Sequence, residues 1–219
     1  MKILVVSPHP DDETLGAGGT LLKLKKMGHD IYWLNVTDMR PGDGWGEERV
    51  AHRQEQISAV NAHYGFAKLY NLAFPPAKLG DMKESLIIGA LKCVYDEVQP
   101  KWLIIPGNYD AHSDHRVVYN CCMAAAKTFR APYIKRITTM EIISETEFGY
   151  QKEKFEPNFF VDITDELEGK IEAMKIYDTE IEKEPFPRSL ANLRALSIFR
   201  GGEIQAKCAE AFCIVRQIY

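Results

Sequence analysis

Two short segments of the chain concentrate histidine and carboxylate side chains. The first is HPDDE, residues 9–13, which directly follows an apolar run, and the second is DAHSDH, residues 110–115. Imidazole nitrogens and carboxylate oxygens are ligands of zinc, and a catalytic zinc has three such protein ligands and one open position. A zinc ion held in this way lowers the pKa of its bound water. The residue types therefore favour metal-assisted hydrolysis, provided that the fold brings the two segments together.

Spacing alone leaves other interpretations of these residues open. An aspartate between a strand and a helix often caps the helix, which would account for Asp11 or Asp12 but not for both together with His9. His112 and His115 are three residues apart and could be solvated side chains in the first turn of a helix. A phosphate-binding loop fits less well, because acidic residues stand where such loops have glycine.

The elements that would position the two segments follow from the hydrophobic pattern. Four apolar runs predict strands, and each is followed by a segment with the apolar spacing of a helix. The strands are KILVVS, DIYWLNVT, KLYNL and KWLIIPG, and the helices cover 14–27, 47–65, 82–99 and 113–129. Such alternation is typical of a mostly parallel sheet with helices on both faces. We therefore predict an α/β fold, a Rossmann-like three-layer sandwich with a mostly parallel central sheet.

Each of the two histidine segments comes directly after a strand of this pattern. In open α/β sheets, ligands bind outside the carboxyl ends of the strands. We therefore expect HPDDE and DAHSDH to meet in one crevice at that edge of the sheet, with Ser113 as the N-cap of the helix after the second segment. A glycine-rich loop, MRPGDGWGEE with Trp45, follows another strand at the same edge and could cover the crevice.

The second half of the chain has a more mixed pattern. Strands are predicted over 135–144 and 158–164, and a helix with an acidic first turn over 165–181. The segment 189–215 is predicted to be helical, with a break at its two adjacent glycines. Without a repeat, a low-complexity segment or a clear linker, residues 1–219 are expected to form a single domain.

Composition excludes several classes of protein. The net charge of −4 and the isoelectric point near 5.9 are unlike the clustered positive charge of a nucleic-acid-binding protein. Five cysteines without a C-x-x-C pair favour reduced thiols and a cytoplasmic location. The first residues have neither the long apolar core nor the cleavage site of a signal peptide. No apolar stretch reaches the roughly 20 residues of a membrane span.

The sequence also resembles a known family, the zinc-dependent N-acetylglucosaminyl deacetylases of the LmbE-like, or PIG-L, superfamily. The likeness rests on PHPDDE followed about a hundred residues later by HSDHR, and it covers most of the chain. It includes the arginine-containing helix HRQEQISAVNAHYG, the segment QPKWLIIPG and, more weakly, AEAF at 209–212. One departure is Ser113, which stands where the family usually has proline.

The resemblance implies specific roles for seven residues. The metal ligands would be His9, Asp12 and His115. Asp11 would be the general base. His112 would be the cationic or acidic partner of the reaction, and Asp114 would orient it. Arg53 would contact the sugar or the group attached to it.

The implied reaction removes an N-acetyl group from an N-acetylated amino sugar or its conjugate. Zinc is the expected metal, although histidine and carboxylate ligands also suit iron(II) or manganese. The alternatives are an amidase acting on a non-acetyl thiol-sugar conjugate and a metal-free nucleotide- or sugar-binding module. The expected partner is a small amino-sugar substrate, with no nucleic acid, no membrane span and possible homo-oligomers. Whether Asp11 or His112 protonates the leaving amine does not follow from the sequence.

Overall fold

One seven-stranded sheet forms the centre of the protein. The structure is a computed structural model that describes residues 1–149 and 154–219. In chain order the strands are β1 Lys2–Ser7, β2 Asp30–Thr37, β3 Lys68–Phe74, β4 Trp102–Ile105, β5 Arg136–Met140, β6 Phe159–Asp162 and β7 Ala209–Gln217. Their order across the sheet is β3-β2-β1-β4-β5-β7-β6. All neighbouring pairs from β3 to β5 are parallel, whereas β7 is antiparallel to both β5 and β6.

Helices cover both faces of this sheet. They are α1 Asp12–Lys26, α2 Glu47–Tyr64, α3 Glu84–Val98, α4 Ser113–Ala125, α5 Leu167–Ile176 and α6 Leu190–Gly202, with a short 3-10 turn at Leu79–Asp81. Side chains alternate along β1, so that Ile3 and Val5 belong to one apolar cluster and Leu4 and Val6 to the other. The first cluster includes residues of α1, α2, α5 and α6, and the second includes residues of α3 and α4. The predicted three-layer α/β architecture is therefore confirmed.

Two local predictions were wrong. The segment 189–215 is not helical throughout, because α6 ends at Gly202 and the chain then forms β7. At the start of α4 the N-cap is His112 and not Ser113, which is already the first helical residue. The imidazole Nδ1 of His112 accepts a hydrogen bond from the backbone N–H of Asp114 at 3.1 Å, which is the role that a serine hydroxyl would have had.

Helix α1 is held on the sheet by a buried ion pair. Glu210 in β7 accepts hydrogen bonds from the backbone N–H groups of Gly19 and Thr20 at 3.0 and 2.7 Å. Lys170 in α5 donates to the same carboxylate at 2.6 Å and to the carbonyl of Leu15 at 2.8 Å. A side chain at Gly19 would not fit, because its Cβ would lie 2.8 Å from carbon atoms of Ile163. The beginning of α1, where HPDDE ends, therefore has a fixed position.

The remaining sequence-based expectations concern cysteines and membrane segments. All five cysteines are free thiols. Within 1–149 and 154–219, none of the helices combines the length and apolar composition that crossing a bilayer requires.

Candidate metal and active site

The two histidine-containing segments meet where the strand order reverses. β1 lies between β2 and β4, so the chain turns to opposite sides of the sheet after β1 and after β4. HPDDE follows β1 and DAHSDH follows β4, both at carboxyl ends. In parallel sheets such a switch point opens a crevice that commonly binds ligands. The rings of His9 and His112 lie with their centroids 4.5 Å apart, and those of His9 and His115 are 5.3 Å apart.

The turn after β1 has an unusual backbone conformation at Asp11. This residue has a φ of 142°, a value that residues with a side chain seldom adopt. Its backbone N–H donates to the buried carboxylate of Glu13 at 3.2 Å, which also accepts from the hydroxyls of Thr14 and Tyr177, each at 2.8 Å. Strain of this kind costs about 1–3 kcal/mol and persists where the surroundings enforce it. Here Glu13 fixes the turn that aims Asp11 into the site.

His9, Asp12 and His115 come together as a compact group. Their nearest ligand atoms all lie within 4.8 Å of one another. The Asp12 Oδ2 atom is 3.5 Å from His9 Nδ1 and 3.3 Å from His115 Nε2, and both Asp12 and His115 are almost fully buried. Burial alone would raise the pKa of Asp12, but the positive charges of the nearby His115 and His9 imidazoles lower it well below its usual value. Asp12 is therefore a carboxylate with its oxygen directed at both imidazoles.

The surroundings of His115 fit a metal ligand. Its Nδ1 faces the Asp110 carboxylate at 3.0 Å, and Asp110 also accepts from the Thr146 hydroxyl at 2.7 Å. Its Nε2 is buried, lies 3.3 Å from Asp12 Oδ2, and has no hydrogen-bond partner among the described residues. A carboxylate on one ring nitrogen fixes the tautomer of a metal-binding histidine and leaves the other nitrogen for the metal. The unpartnered Nε2, directed at Asp12, is what a divalent cation would satisfy.

A second group, His9, His112 and Asp114, also has ligand atoms within 4.8 Å of one another. The carboxylate of Asp114 is already used, because it accepts from the backbone N–H groups of Ala77 and Leu79 at 2.7 and 3.2 Å and contacts His9 Nε2 at 3.1 Å. The donor set of this group therefore fits a cation less well than the group with the unpartnered imidazole.

The structure gives Asp114 a different partner from the expected one. Its carboxylate contacts His9 and the 77–79 backbone, whereas only its backbone N–H contacts His112. Because His112 Nδ1 accepts that bond, the ring proton of the neutral form lies on Nε2. Burial and the positive charges of His9 and His115 lower the pKa of His112 to about 4. The imidazole is then neutral, with an N–H available as a donor. The role of His112 as the cationic or acidic partner of the reaction stays a prediction.

Asp11 lies beside the metal-ligand group without belonging to it. It lines the cavity described below and is only 6% exposed. Burial and the adjacent negative charge of Asp12 raise the pKa of Asp11 well above its usual value. A carboxylate with a raised pKa next to a metal site is suited to accepting a proton.

Arg53 reaches the same cavity from α2, yet its guanidinium already has protein partners. Nη1 donates to the carbonyl of Pro10 at 3.0 Å, and Nη2 forms an ion pair with Glu180. The side chain is nearly buried and lies over the ring of Tyr177. It thus supports the turn that carries Asp11, in addition to lining the cavity.

The cavity in front of these groups has a volume of about 270 Å³. It is lined in part by residues that the sequence analysis did not select, namely Thr37, Asp38, Met39, Pro76, Ala77, Ser144, Glu145, Glu180 and Arg188. Trp45, from the glycine-rich loop, also lines it, as the covering role would require.

Glu145 could have been found from the sequence, because it follows the carboxyl end of β5 at the same edge of the sheet. Its carboxylate accepts from the backbone N–H of His112 at 3.0 Å, and its carbonyl accepts from the N–H of Ala111 at 3.0 Å. Glu180 and Arg188 come from the connection between α5 and α6. The sequence pattern placed Glu180 at the end of a helix over 165–181, but α5 ends at Ile176.

Comparison with known proteins finds a family and relatives that are described as deacetylases. The model of the PIG-L family, described as GlcNAc-PI de-N-acetylase, matches residues 4–126. A diacetylchitobiose deacetylase of Thermococcus kodakarensis is 26% identical over 100% of this chain and 84% of its own length. A 1D-myo-inositol 2-acetamido-2-deoxy-alpha-D-glucopyranoside deacetylase of a Mycobacterium species is 23% identical, over 87% of this chain and 77% of that protein.

Among solved structures, an N,N'-diacetylchitobiose deacetylase from Pyrococcus horikoshii has a TM-score of 0.79 and 24% identity. The match covers 98% of this chain and 84% of that one, and shows that the two share a fold.

Proposed function

The chain belongs to the PIG-L family, and from this membership and the geometry of the site we propose that it is a metal-dependent hydrolase that removes an N-acetyl group from an amino sugar or its conjugate. The observation that carries the proposal is the convergence of His9, Asp12 and His115 with a buried carboxylate, Asp11, beside them. The products would be acetate and a free amine.

We propose that His9, Asp12 and His115 hold a zinc ion, with iron(II) as the other candidate. The unpartnered Nε2 of His115 and the carboxylate behind its Nδ1 support this assignment. When bound, such an ion polarises an acyl oxygen and lowers the pKa of water. The protein contributes ligands from two segments, the turn and first residue of α1 after β1 for His9 and Asp12, and the first turn of α4 for His115.

Asp11 would move the proton of the reaction. Its carboxylate oxygen accepts a proton from the attacking water as the bond from the water oxygen to the acyl carbon forms. Cleavage of the carbon–nitrogen bond then returns that proton from Asp11 to the amine nitrogen. The raised pKa of Asp11 supports its role in this transfer, because its carboxylate holds a proton more readily than an ordinary aspartate does.

His112 would stabilise the negative charge that develops on the acyl oxygen. Its Nδ1 accepts from the backbone N–H of Asp114, which leaves Nε2–H as its donor, and the side chain lines the cavity. A fixed donor of this kind stabilises the transition state more than the ground state. Arg53 would contact the sugar or the attached group from the α2 side of the cavity, and Asp114 would hold His9 in place.

One domain would carry all of these functions. The family match, residues 4–126, contains every proposed metal ligand. Glu180 and Glu210, which lie outside it, contact Arg53 and α1 respectively. This is the support for treating residues 1–219 as a single deacetylase domain.

The test is acetate release from a panel of N-acetyl hexosamines and their glycosides, with the metal content of the purified protein measured in parallel. Asp11→Asn should retain the metal and lose about 10²–10⁴-fold in kcat, the usual contribution of a general base. Asp12→Ala and His115→Ala should lose the metal itself.

Two other results would point to the alternative functions. Amine release from a thiol-sugar conjugate without acetate release from any N-acetyl sugar would favour the non-acetyl amidase. Purified protein that binds no divalent metal under any loading condition would favour a binding module. A fully active Asp11→Asn protein with intact metal would contradict the assignment of the base.

A further inference from the structure

Two arginine side chains reach the cavity, and both are joined to one carboxylate. Arg53, Arg188 and Glu180 all line the cavity. Glu180 Oε1 pairs with the Arg53 guanidinium, and Glu180 Oε2 is 3.6 Å from Arg188 Nη2. The side chain of Arg53 is 5% exposed, that of Arg188 24% and that of Glu180 19%, so this ion-pair group is largely shielded from water.

Both terminal nitrogens of Arg53 have partners within the protein. One terminal nitrogen donates to the Pro10 carbonyl at 3.0 Å, and the other contacts Glu180 and the Thr179 hydroxyl, the latter at 3.4 Å. An arginine that binds a carboxylate or phosphate presents two free N–H groups in parallel. The terminal nitrogens of Arg53 are both committed to partners within the chain.

Arg188 is committed in the same way. Its Nε donates to the backbone carbonyl of Glu180 at 3.0 Å, and its Nη1 donates to the Ser144 hydroxyl at 3.0 Å. With Nη2 near the Glu180 carboxylate, each nitrogen of this guanidinium has a partner among the described residues. Ser144 has a φ of 77°, so an unusual backbone conformation holds its hydroxyl at this point.

The rest of the cavity wall adds negative charge. Asp38 and Glu145 line it in addition to the two aspartates of the HPDDE segment. The Asp38 carboxylate accepts hydrogen bonds from the amide groups of Gln54 and Asn71 at 2.7 and 2.6 Å, which hold it in the cavity wall. An anionic group on a substrate would therefore meet carboxylates and two arginines whose charge is already shared with Glu180.

We propose that Glu180 is a specificity-determining residue that restricts this enzyme to substrates whose sugar and attached group are uncharged. This inference rests on the proposed deacetylase function. Glu180 neutralises the two guanidiniums that could otherwise bind a carboxylate or phosphate, and it disfavours such groups by like-charge repulsion. Selectivity then arises from a repulsive element in the site as well as from attractive contacts.

The first test uses the unaltered full-length, metal-loaded enzyme and a matched pair of substrates. Methyl N-acetylglucosaminide and N-acetylglucosaminyl malate of the same anomeric form differ in the charge of the attached group. We expect kcat/KM to be at least about tenfold higher for the methyl glycoside, because an unpaired charge facing carboxylates is strongly disfavoured. Equal values, or a preference for the malate conjugate, would overturn the inference.

The second test is Glu180→Gln, which keeps the size of the side chain and removes its charge. The ratio of kcat/KM for the malate conjugate to that for the methyl glycoside should rise about tenfold. An effect on the proton transfer by Asp11 would change kcat/KM for both substrates by the same factor. The ratio of the two values therefore reports only on recognition of the attached group. An unchanged ratio in a variant with normal thermal unfolding would overturn the inference.

Glu182→Gln is the matched control, because it makes the same charge change two residues away on an exposed side chain. It should leave the ratio unchanged, and an equal rise in this variant would show that net charge, and not Glu180, sets the selectivity. If Glu180→Gln fails to fold, Arg188→Gln replaces it and should lower the ratio further, since Glu180 would then share its charge with Arg53 alone.

Failure of this inference differs from failure of the proposed function. Acetate release from both substrates at equal rates would overturn the specificity role alone. Absence of acetate release from either substrate by metal-loaded enzyme would overturn the deacetylase function and this inference with it.

Discussion

At the scale of single residues, carboxylates that touch histidines organise the site. Asp110 holds His115 through Nδ1, Asp114 holds His9 through Nε2, and Glu145 accepts from the backbone N–H of His112. The carboxylates of Asp110 and Asp114 also accept hydrogen bonds from other loops, from the Thr146 hydroxyl and the Ala77 N–H respectively. A metal-binding histidine depends on such partners for its orientation, so a change in one of them affects the site without touching the substrate.

Glu145 gives the clearest prediction at this scale. Replacing it with alanine leaves the His112 N–H without its acceptor and loosens the imidazole that would stabilise the transition state. Glu145→Ala should lower kcat about 10–100-fold, the range for residues that orient a metal site, with KM and metal content little changed. Steady-state kinetics and metal analysis of the purified variant measure these quantities.

Glu145→Gln separates positioning from charge. Its amide oxygen can still accept from His112, so most of the lost kcat should return. A glutamine variant as impaired as the alanine variant would contradict a positioning role and show that the negative charge itself is required.

The same scale shows where sequence reasoning about the site reached its limit. His9, Asp12 and His115 were correctly expected to converge, because the carboxyl ends of parallel strands meet at one edge. The partner of the Asp114 carboxylate was not predicted correctly. This carboxylate accepts hydrogen bonds from the N–H groups of Ala77 and Leu79, which lie in a loop distant in sequence. Loop backbone of this kind has no periodic pattern from which its position could be derived.

At the scale of elements, the position of α1 depends on β7. The sequence pattern predicted β1 to β4 and the helices between them, because buried parallel strands are continuous apolar runs. It did not predict β7, whose residues AEAFCIV also have the spacing of a helix and follow α6 after a short connection. Pairing with β5 and β6 decides the outcome, and that pairing is a long-range contact.

Glu210 in β7 therefore has a predicted effect on stability. Glu210→Ala removes the partner of the buried Lys170 ammonium and the acceptor of two N–H groups in α1. Breaking a buried ion pair from one side costs about 3–5 kcal/mol. Urea denaturation should show this loss in the free energy of unfolding.

Glu172→Ala is the control at this scale. Glu172 pairs with Lys175 on the exposed surface of α5, and its loss should change stability by less than about 0.5 kcal/mol. Equal destabilisation by the two variants would contradict a special role for the buried pair.

At the scale of the whole molecule, the proposed metal would join two parts of the chain. His9 and Asp12 follow β1, whereas His115 lies in α4 after β4. A ligand that binds only the folded state stabilises it in proportion to the logarithm of its concentration. Zinc added to metal-free protein at about 100 times its Kd should stabilise the fold by about 2.7 kcal/mol.

Thermal unfolding at several zinc concentrations measures this effect, and Tm should rise with each increment. His115→Ala should abolish the shift, while Asp11→Asn should retain it. An undiminished shift in His115→Ala would show that the stabilising ion binds elsewhere.

The contact between α1 and β7 also affects the order in which the molecule can assemble. Because synthesis runs from the amino end, the HPDDE segment leaves the ribosome long before Glu210 does. Until that carboxylate has been synthesised, it cannot accept hydrogen bonds from the N–H groups of Gly19 and Thr20 or from the Lys170 ammonium. The position of α1 is therefore complete only after β7 has been synthesised, and capture of the proposed metal would then follow translation.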